Sequence, residues 1–223
     1  VSPEDLGGAY VHTKHSGGCD HFVRSQDEGI KKLRDIIDFE PPQKLYVEKR
    51  KVNEPKFDFK EMMRDTPVNT YQFIDIRKTL KCLADDSYVH EYKPTYGESR
   101  GDSIVAGKMW LGGMPVGFIA SNNNGVIYID AARKATEWMI RCGNQGLPVL
   151  FLQGSPGYMV GKSEEWGGIG KYGSDMVRTC SVLNVPKIQY VIGPDHGAAN
   201  YGMCGRAFRP VFCFTNMRGR TTV

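Results

Sequence analysis

The sequence predicts an α/β fold built from strand–turn–helix units, and three observations carry that prediction. Two apolar stretches of strand length, 147–153 and 186–192, each run into a glycine-rich turn followed by a helical pattern. Two further apolar runs, 104–110 and 115–120, flank Gly112-Gly113, a hairpin signal. Helical periodicities alternate with these strands, as expected of ββα units in an α/β protein.

Taken in order, residues 1–24 are rich in Gly and His and read as loops around one short helix. Ser25-Gln26-Asp27-Glu28 has the form of a capping box, in which the first and fourth side chains satisfy each other's backbone N–H groups. Ile30, Leu33, Ile36 and Ile37 then recur at helical spacing, and Pro41-Pro42 ends that helix. Residues 40–70 are Pro- and Lys-rich with little periodicity and read as a linker. A second helix is predicted over 74–83. After the 104–120 hairpin, Asp130 is placed as the cap of a helix running to Arg141 and ending at Gly143-Asn144. Ser163 is placed as the cap of a longer helix to Leu183, and a last helix starts at Gly197. The chain opens on Val1-Ser2-Pro3 and closes on Arg220-Thr221-Thr222-Val223, the start of a strand, so it reads as beginning and ending inside a fold.

Composition is that of an ordinary globular protein, with 40% hydrophobic and 24% charged residues among 223. The net charge of +4 is mild, and the basic run at 48–51 includes a glutamate and no aromatic residue, which argues against nucleic acid binding. Six scattered cysteines without a C-x-x-C spacing argue against a zinc ribbon or a disulfide framework and suit a reducing compartment. No apolar run approaches membrane-spanning length, and no targeting segment is visible.

The chemistry concentrates in the two glycine-rich turns. The first reads Gly154-Ser155-Pro156-Gly157-Tyr158-Met159-Val160-Gly161; the second reads Gly193-Pro194-Asp195-His196-Gly197-Ala198-Ala199-Asn200-Tyr201-Gly202. Small residues there leave backbone N–H groups uncovered where a helix begins. Such a helix start carries unpaired donors and a positive dipole end, and it can hold a developing oxyanion without a catalytic side chain. Gly167, Gly168, Gly170 and Gly173 weaken the following helix by about 1 kcal/mol each, which close packing against a neighbour or ligand would offset.

Other motifs carry less. Gly168-Ile169-Gly170-Lys171-Tyr172-Gly173 matches G-x-G-x-x-G but does not follow a strand. Gly161-Lys162-Ser163 lacks the earlier glycine of a phosphate-binding loop. His12, His15, Cys19, Asp20 and His21 are dense in potential ligands but fit no standard zinc spacing, and no metal is assigned. Ser155 is not in a G-x-S-x-G elbow, and Cys204 reads as small packing. Asp195 and His196 flank the second turn, either as a general acid or base or as hydrogen-bonded turn residues.

With these residues in view, the sequence resembles the carboxyltransferase (beta) component of biotin-dependent acyl-CoA carboxylases, in particular the 3-methylcrotonoyl-CoA carboxylase type. The resemblance rests on Glu4-Asp5-Leu6-Gly7-Gly8-Ala9, Val11-His12, Ser16-Gly17-Gly18, Gly157-Tyr158-Met159-Val160-Gly161-Lys162, Gly168-Ile169, Lys171, Gly173, Met176-Val177 and Val185-Pro186-Lys187. Its most specific run is Asn200-Tyr201-Gly202-Met203-Cys204-Gly205-Arg206-Ala207. It implies a crotonase-like ββα spiral. Residues 1–62 would be the C-terminal part of an acyl-CoA-binding half plus linker, and 63–223 the start of a biotin-binding half. It also implies transfer of CO2 from carboxybiotin to an acyl-CoA, 3-methylcrotonoyl-CoA or a related branched enoyl-CoA, through enolates held in backbone oxyanion holes.

On this family pattern Ala198 and Ala199 supply the N–H groups of the hole on the biotin side. Gly157, Tyr158, Met159 and Gly197 bind biotin, and Tyr201 occupies the acyl-specificity position. The hole for the acyl enolate falls outside these residues. Biotin would be carried by a biotin carboxylase/biotin carrier subunit, within a hetero-complex, dodecameric by family pattern, of carboxyltransferase and biotin subunits. The implied location is the mitochondrial matrix or a bacterial cytoplasm. Ala199 stands where this type commonly has glycine, and Gly154-Ser155-Pro156 and the segment 216–223 also depart from the pattern. The alternatives are a biotin-dependent decarboxylase of the glutaconyl-CoA type, a propionyl- or geranoyl-CoA carboxylase, a crotonase-like hydratase or isomerase, and a catalytically inactive scaffold.

Overall fold

The computed structural model describes residues 1–39, 50–60, 67, 69, 72, 74–123 and 125–222. Seven strands form one sheet: β1 (Val89–Tyr92), β2 (Ile104–Leu111), β3 (Met114–Ser121), β4 (Val149–Ser155), β5 (Lys187–His196), β6 (Phe212–Thr215) and β7 (Arg220–Thr222). They lie in the order β1-β2-β3-β4-β5-β6, with β7 pairing the far end of β5. β1, β2 and β3 run antiparallel, and every pairing from β3 onward is parallel. The helices are α1 (Pro3–Gly7), α2 (Gln26–Phe39), α3 (Ile76–Leu83), α4 (Glu98–Gly101), α5 (Ile129–Gln145), α6 (Lys162–Gly167), α7 (Ile169–Val182) and α8 (Gly197–Gly202).

The hairpin is fixed by its turn. Gly112 and Gly113 have φ of +60° and +77°, the mirror-image turn that matches strand twist, and both their N–H groups donate to the Asp85 carboxylate at 2.9 and 2.7 Å. β4 is buried along its whole length, as a central parallel strand covered on both faces must be. Its alternating side chains divide the core. Val149 and Phe151 pack with Ala135, Met139 and Met176 from α5 and α7, while Leu150 and Leu152 pack with Ile76 and Leu80 of α3. The sheet is therefore a middle layer, and the crossover helices α5 and α7 lie on one face.

The N-terminal segment is tied onto this core. Lys93 Nζ donates to the Gly17 carbonyl at 2.6 Å, and the Gly97 N–H donates to the Lys14 carbonyl at 2.9 Å. Gly17, at φ +68°, lies so flat on the Tyr96 ring that a Cβ would approach it to 2.7 Å. On α2, Ile30, Leu33 and Ile37 are exposed despite their helical spacing.

Several local expectations are corrected. Residues 1–24 hold α1 and a π-helical turn at Val11–His15 rather than one helix. Ser25 does accept the Glu28 N–H at 3.2 Å, but Glu28 reaches past it to the Arg24 N–H at 2.8 Å. Asp130 lies inside the first turn of α5 and does not cap it. The Glu164 carboxylate accepts the Ile129 N–H at 3.2 Å instead, and the helix runs on to Gln145. The helix expected from Ser163 is two helices, because Gly168 at φ +97° breaks the chain between α6 and α7, and Ser163 caps neither. The second helix starts at Ile76, where the Asp75 side chain accepts two N–H groups. β4 and β5 extend two and four residues beyond their predicted ends, and β1 and β6 were not foreseen. The Pro41-Pro42 stop lies outside the described residues.

Candidate functional site

Both glycine-rich turns leave the sheet at the C-terminal ends of adjacent parallel strands, the edge where open α/β sheets bind ligands. After β4 the chain runs through residues 156–161 before α6 starts. Gly157 sits at φ +153°, a backbone state that side chains rarely adopt. The turn is held by its own backbone: Ile127 N–H donates to the Gly157 carbonyl and Met159 N–H to the Ile127 carbonyl, both at 2.9 Å. The Ser155 hydroxyl, an unlikely nucleophile by sequence, donates to the Gly157 carbonyl at 3.2 Å and accepts its N–H at 3.3 Å. It shapes the turn.

The Tyr158 ring fills a slot that two glycines make. A Cβ on Gly173 of α7 would stand 3.2 Å from the ring, and one on Gly202 of α8 would stand 2.4 Å from the phenol oxygen. The hydroxyl points to Met176 Sδ at 3.5 Å. Burial, with a smaller push from Cys180, holds the phenol above its ordinary range, so it stays neutral and acts as a wall.

The second turn has no loop. β5 ends at His196 and α8 begins at Gly197, whose φ of +54° makes the corner. His196 is extended (φ −123°, ψ 141°), and no side chain caps the helix. The first-turn N–H groups therefore have neither an intrahelical partner nor a side-chain cap. Ala198 is exposed, and Ala199 is fully buried in the core with Met203 and Cys204. Asp195 is 1% exposed and hydrogen-bonded through both oxygens, and His196 Nδ1 meets Thr222 Oγ1 at 2.8 Å. Of the two readings of Asp195 and His196, the structure bears out the hydrogen-bonded one.

A cavity of about 620 Å³ joins the two turns. Tyr158, Met159 and Val160 line it from the first turn, Ala198 from the second, and Ile169, Gly173 and Val177 from α7; Glu165, Ser174 and Arg178 add polar groups. An apolar hollow with a few convergent polar groups is the usual form of a small-molecule site. Gly157, Gly197, Ala199 and Tyr201 are not among its described lining residues. Tyr201 is 43% exposed and meets the Phe208 ring edge-on at 5.8 Å.

Behind the cavity wall, Cys180 and Cys204 are buried together. Their mutual hydrogen bond, and then burial, push the Cys180 thiol up, while the same bond holds Cys204 down. The N-terminal His and Asp side chains go to separate partners: His12 to Ser16 at 3.1 Å, His15 against Tyr10, His21 against His90, and Asp20 to Arg141 at 2.9 Å. Among the described residues no three His, Cys, Asp or Glu side chains gather as a metal site. The hydrogen-bond set around Asp195 was missed by sequence reasoning. Its one signal is Gln153, a polar side chain at the buried end of an apolar strand.

The fold is the crotonase-like α/β architecture of its structural neighbours. The chain belongs to the carboxyl transferase domain family, whose match runs over residues 1–223. It is 37% identical over 218 residues to the mitochondrial methylcrotonoyl-CoA carboxylase beta chain of Dictyostelium discoideum, covering 96% of this chain and 36% of that one. It is 35% identical to the biotin-dependent 3-methylcrotonyl-coenzyme A carboxylase beta1 subunit of Mycobacterium tuberculosis, covering 100% and 41%. Among solved structures it resembles the P. aeruginosa geranyl-CoA carboxylase beta subunit, with TM-score 0.72, 30% identity, and 100% and 42% coverage. It also resembles the transcarboxylase 12S core, with TM-score 0.91, 24% identity, and 100% and 44% coverage. The chain thus spans about two-fifths of the length of the relatives it matches.

Proposed function

We propose that the protein transfers CO2 from carboxybiotin to an acyl-CoA, and that these residues form the biotin side of that site. The observation that carries the reading is the cavity in which Tyr158 and Met159 of the first turn meet Ala198 of the second. Residues 1–62 serve as the end of the acyl-CoA-binding half with its linker, and 63–223 as the start of the biotin-binding half. Biotin, borne by a partner subunit or domain, supplies the activated carboxyl group. The lining suits it: the methyl of Ala198 leaves room, and Tyr158, Met159 and Ile169 offer apolar surface to the thiophane side of its bicycle. The Ala198 and Ala199 N–H groups hold the charge that develops on an oxygen, and Gly157 and Gly197 let the backbone turn closely around the group. Each such donor is worth about 3 kcal/mol of barrier.

Similarity to methylcrotonoyl-CoA carboxylase beta chains supports 3-methylcrotonoyl-CoA or a related branched enoyl-CoA as the acceptor, with Tyr201 influencing the choice. The protein works in a hetero-oligomer with a biotin carboxylase/biotin carrier subunit, in a mitochondrial matrix or bacterial cytoplasm. None of the described helices is long and apolar enough to cross a membrane. The test is incorporation of labelled bicarbonate by the full-length protein with its biotinylated partner and ATP, across 3-methylcrotonoyl-, propionyl-, geranoyl- and acetyl-CoA. The expected result is incorporation with 3-methylcrotonoyl-CoA. An assembled complex that labels none of the four overturns the carboxylase reading.

A further inference from the structure

Asp195 closes β5 just before the second turn. It is 1% exposed, yet its carboxylate meets only neutral donors. Gln153 Nε2 from β4 donates to Oδ1 at 2.8 Å. Asn200 Nδ2 from α8 and Thr221 Oγ1 from β7 donate to Oδ2 at 2.8 and 2.9 Å. Gln153 is itself fully buried and accepts from Ser121 Oγ of β3 at 3.4 Å. Three donors from three elements suit a side chain that only accepts. An asparagine would turn its own NH2 toward one of them; a carboxylate does not. Burying a polar group is costly unless it is hydrogen-bonded, and here the bonds that offset that cost fix geometry at one point of the molecule.

That point is the cavity wall. The Asp195–Asn200 bond spans five positions and closes a ring around residues 196–199. It ties the strand end to the second half of α8, so the short turn carrying Ala198 has both ends fixed. Asn200 is wedged in turn: a Cβ on Gly205 would fall 1.8 Å from Asn200 Oδ1, and the Gly205 N–H donates to the Asn200 carbonyl at 2.7 Å. Thr222 holds His196 from the same strand that supplies Thr221.

We propose that Asp195 is a positioning residue. Its three hydrogen bonds set the orientation of residues 196–199 against the Tyr158 wall, and so the aim of the Ala198 and Ala199 N–H groups. Its role is exerted through the backbone of residues 196–199, since both its oxygens are taken by the three donors. The inference rests on the reading of those N–H groups as the donors that hold charge on the biotin side.

Asp195→Asn and the milder Thr221→Val in the full-length protein, assembled with its biotinylated partner, test it through two readouts. In Asp195→Asn, amide hydrogen exchange at Met203 and Gly205, whose N–H groups donate to the Ala199 and Asn200 carbonyls, is expected to rise at least tenfold while β4 keeps its protection. The kcat for carboxylation of the acyl-CoA used by the wild type is expected to fall at least tenfold, with the acyl-CoA KM unchanged. Thr221→Val is expected to shift both two- to fivefold in the same direction, and it keeps the test open if Asp195→Asn does not fold. Wild-type exchange at Met203 and Gly205 in a folded variant overturns the positioning role whatever the rate does. Faster exchange with wild-type kcat shows that the turn moves without consequence, which overturns the assignment of the donors and the proposal with it.

Discussion

The two strand–turn–helix units look alike in sequence and do different work. The first takes six residues to pass from β4 to α6, holds itself by backbone bonds to Ile127, and presents side chains: Tyr158, Met159 and Val160. The second takes none, holds itself by side chains to neighbouring strands, and presents backbone with a single methyl, Ala198. A loop long enough to satisfy its own N–H groups has side chains to offer. A corner too short to do so offers its N–H groups instead. The cavity combines side chains from one unit with the start of a helix from the other.

This contrast breaks most directly at Ala198. Proline is tolerated in a helix's first turn and deletes one N–H, so Ala198→Pro is expected to lower carboxyl transfer by about 10²–10³-fold with the thermal midpoint nearly unchanged. Ala198→Gly, which keeps the N–H, should stay near wild type. Wild-type turnover by the proline variant would remove the distinction between the two units. Gly202 is where the units touch. Gly202→Ala is expected to cost about 1–3 kcal/mol in denaturant unfolding, because its methyl meets the Tyr158 hydroxyl. Tyr158→Phe removes the contacting oxygen, so the double variant should recover most of that loss, and additive costs would show that the slot is not shared. The smallest effect belongs to Gly170, which has nothing within 4 Å of a built Cβ. Gly170→Ala is expected to gain about 0.5 kcal/mol from helix propensity. A loss comparable to that at Gly202 would mean that glycine serves one common purpose throughout α7 and α8.

The units were legible because each has an apolar run, small residues and a helix signal within 15 or so positions, all of it local. The 112–113 hairpin was legible for the same reason. The break at Gly168 was not, since four glycines within seven residues read equally well as one crowded helix. β1 hid because its buried face is His90 and Tyr92, and β6 because Phe212–Thr215 is exposed and polar–apolar alternation is lost there. The cap of α5 comes from Glu164, 35 positions away, which no capping rule reaches. The same holds for Gln153, Asp195, Asn200 and Thr221: no local pattern links them, and only the sheet and α8 bring them together.

The pairing of β4 with β5 slips near its end: Gln153 faces Val191, but Ser155 faces Asp195, so two residues of one strand run beside four of the other. β5 therefore overshoots its neighbour before turning. The interval from Val191 to Gly197 acts as a ruler that sets how far the second helix stands above the first. The register fixes the length of that interval, and Asp195 and Gly197 within it are fixed by their own bonds and backbone angle. A gain or loss of one position would rotate Asp195 to the opposite face of the sheet, so insertions and deletions belong in the segments between units and not in this one.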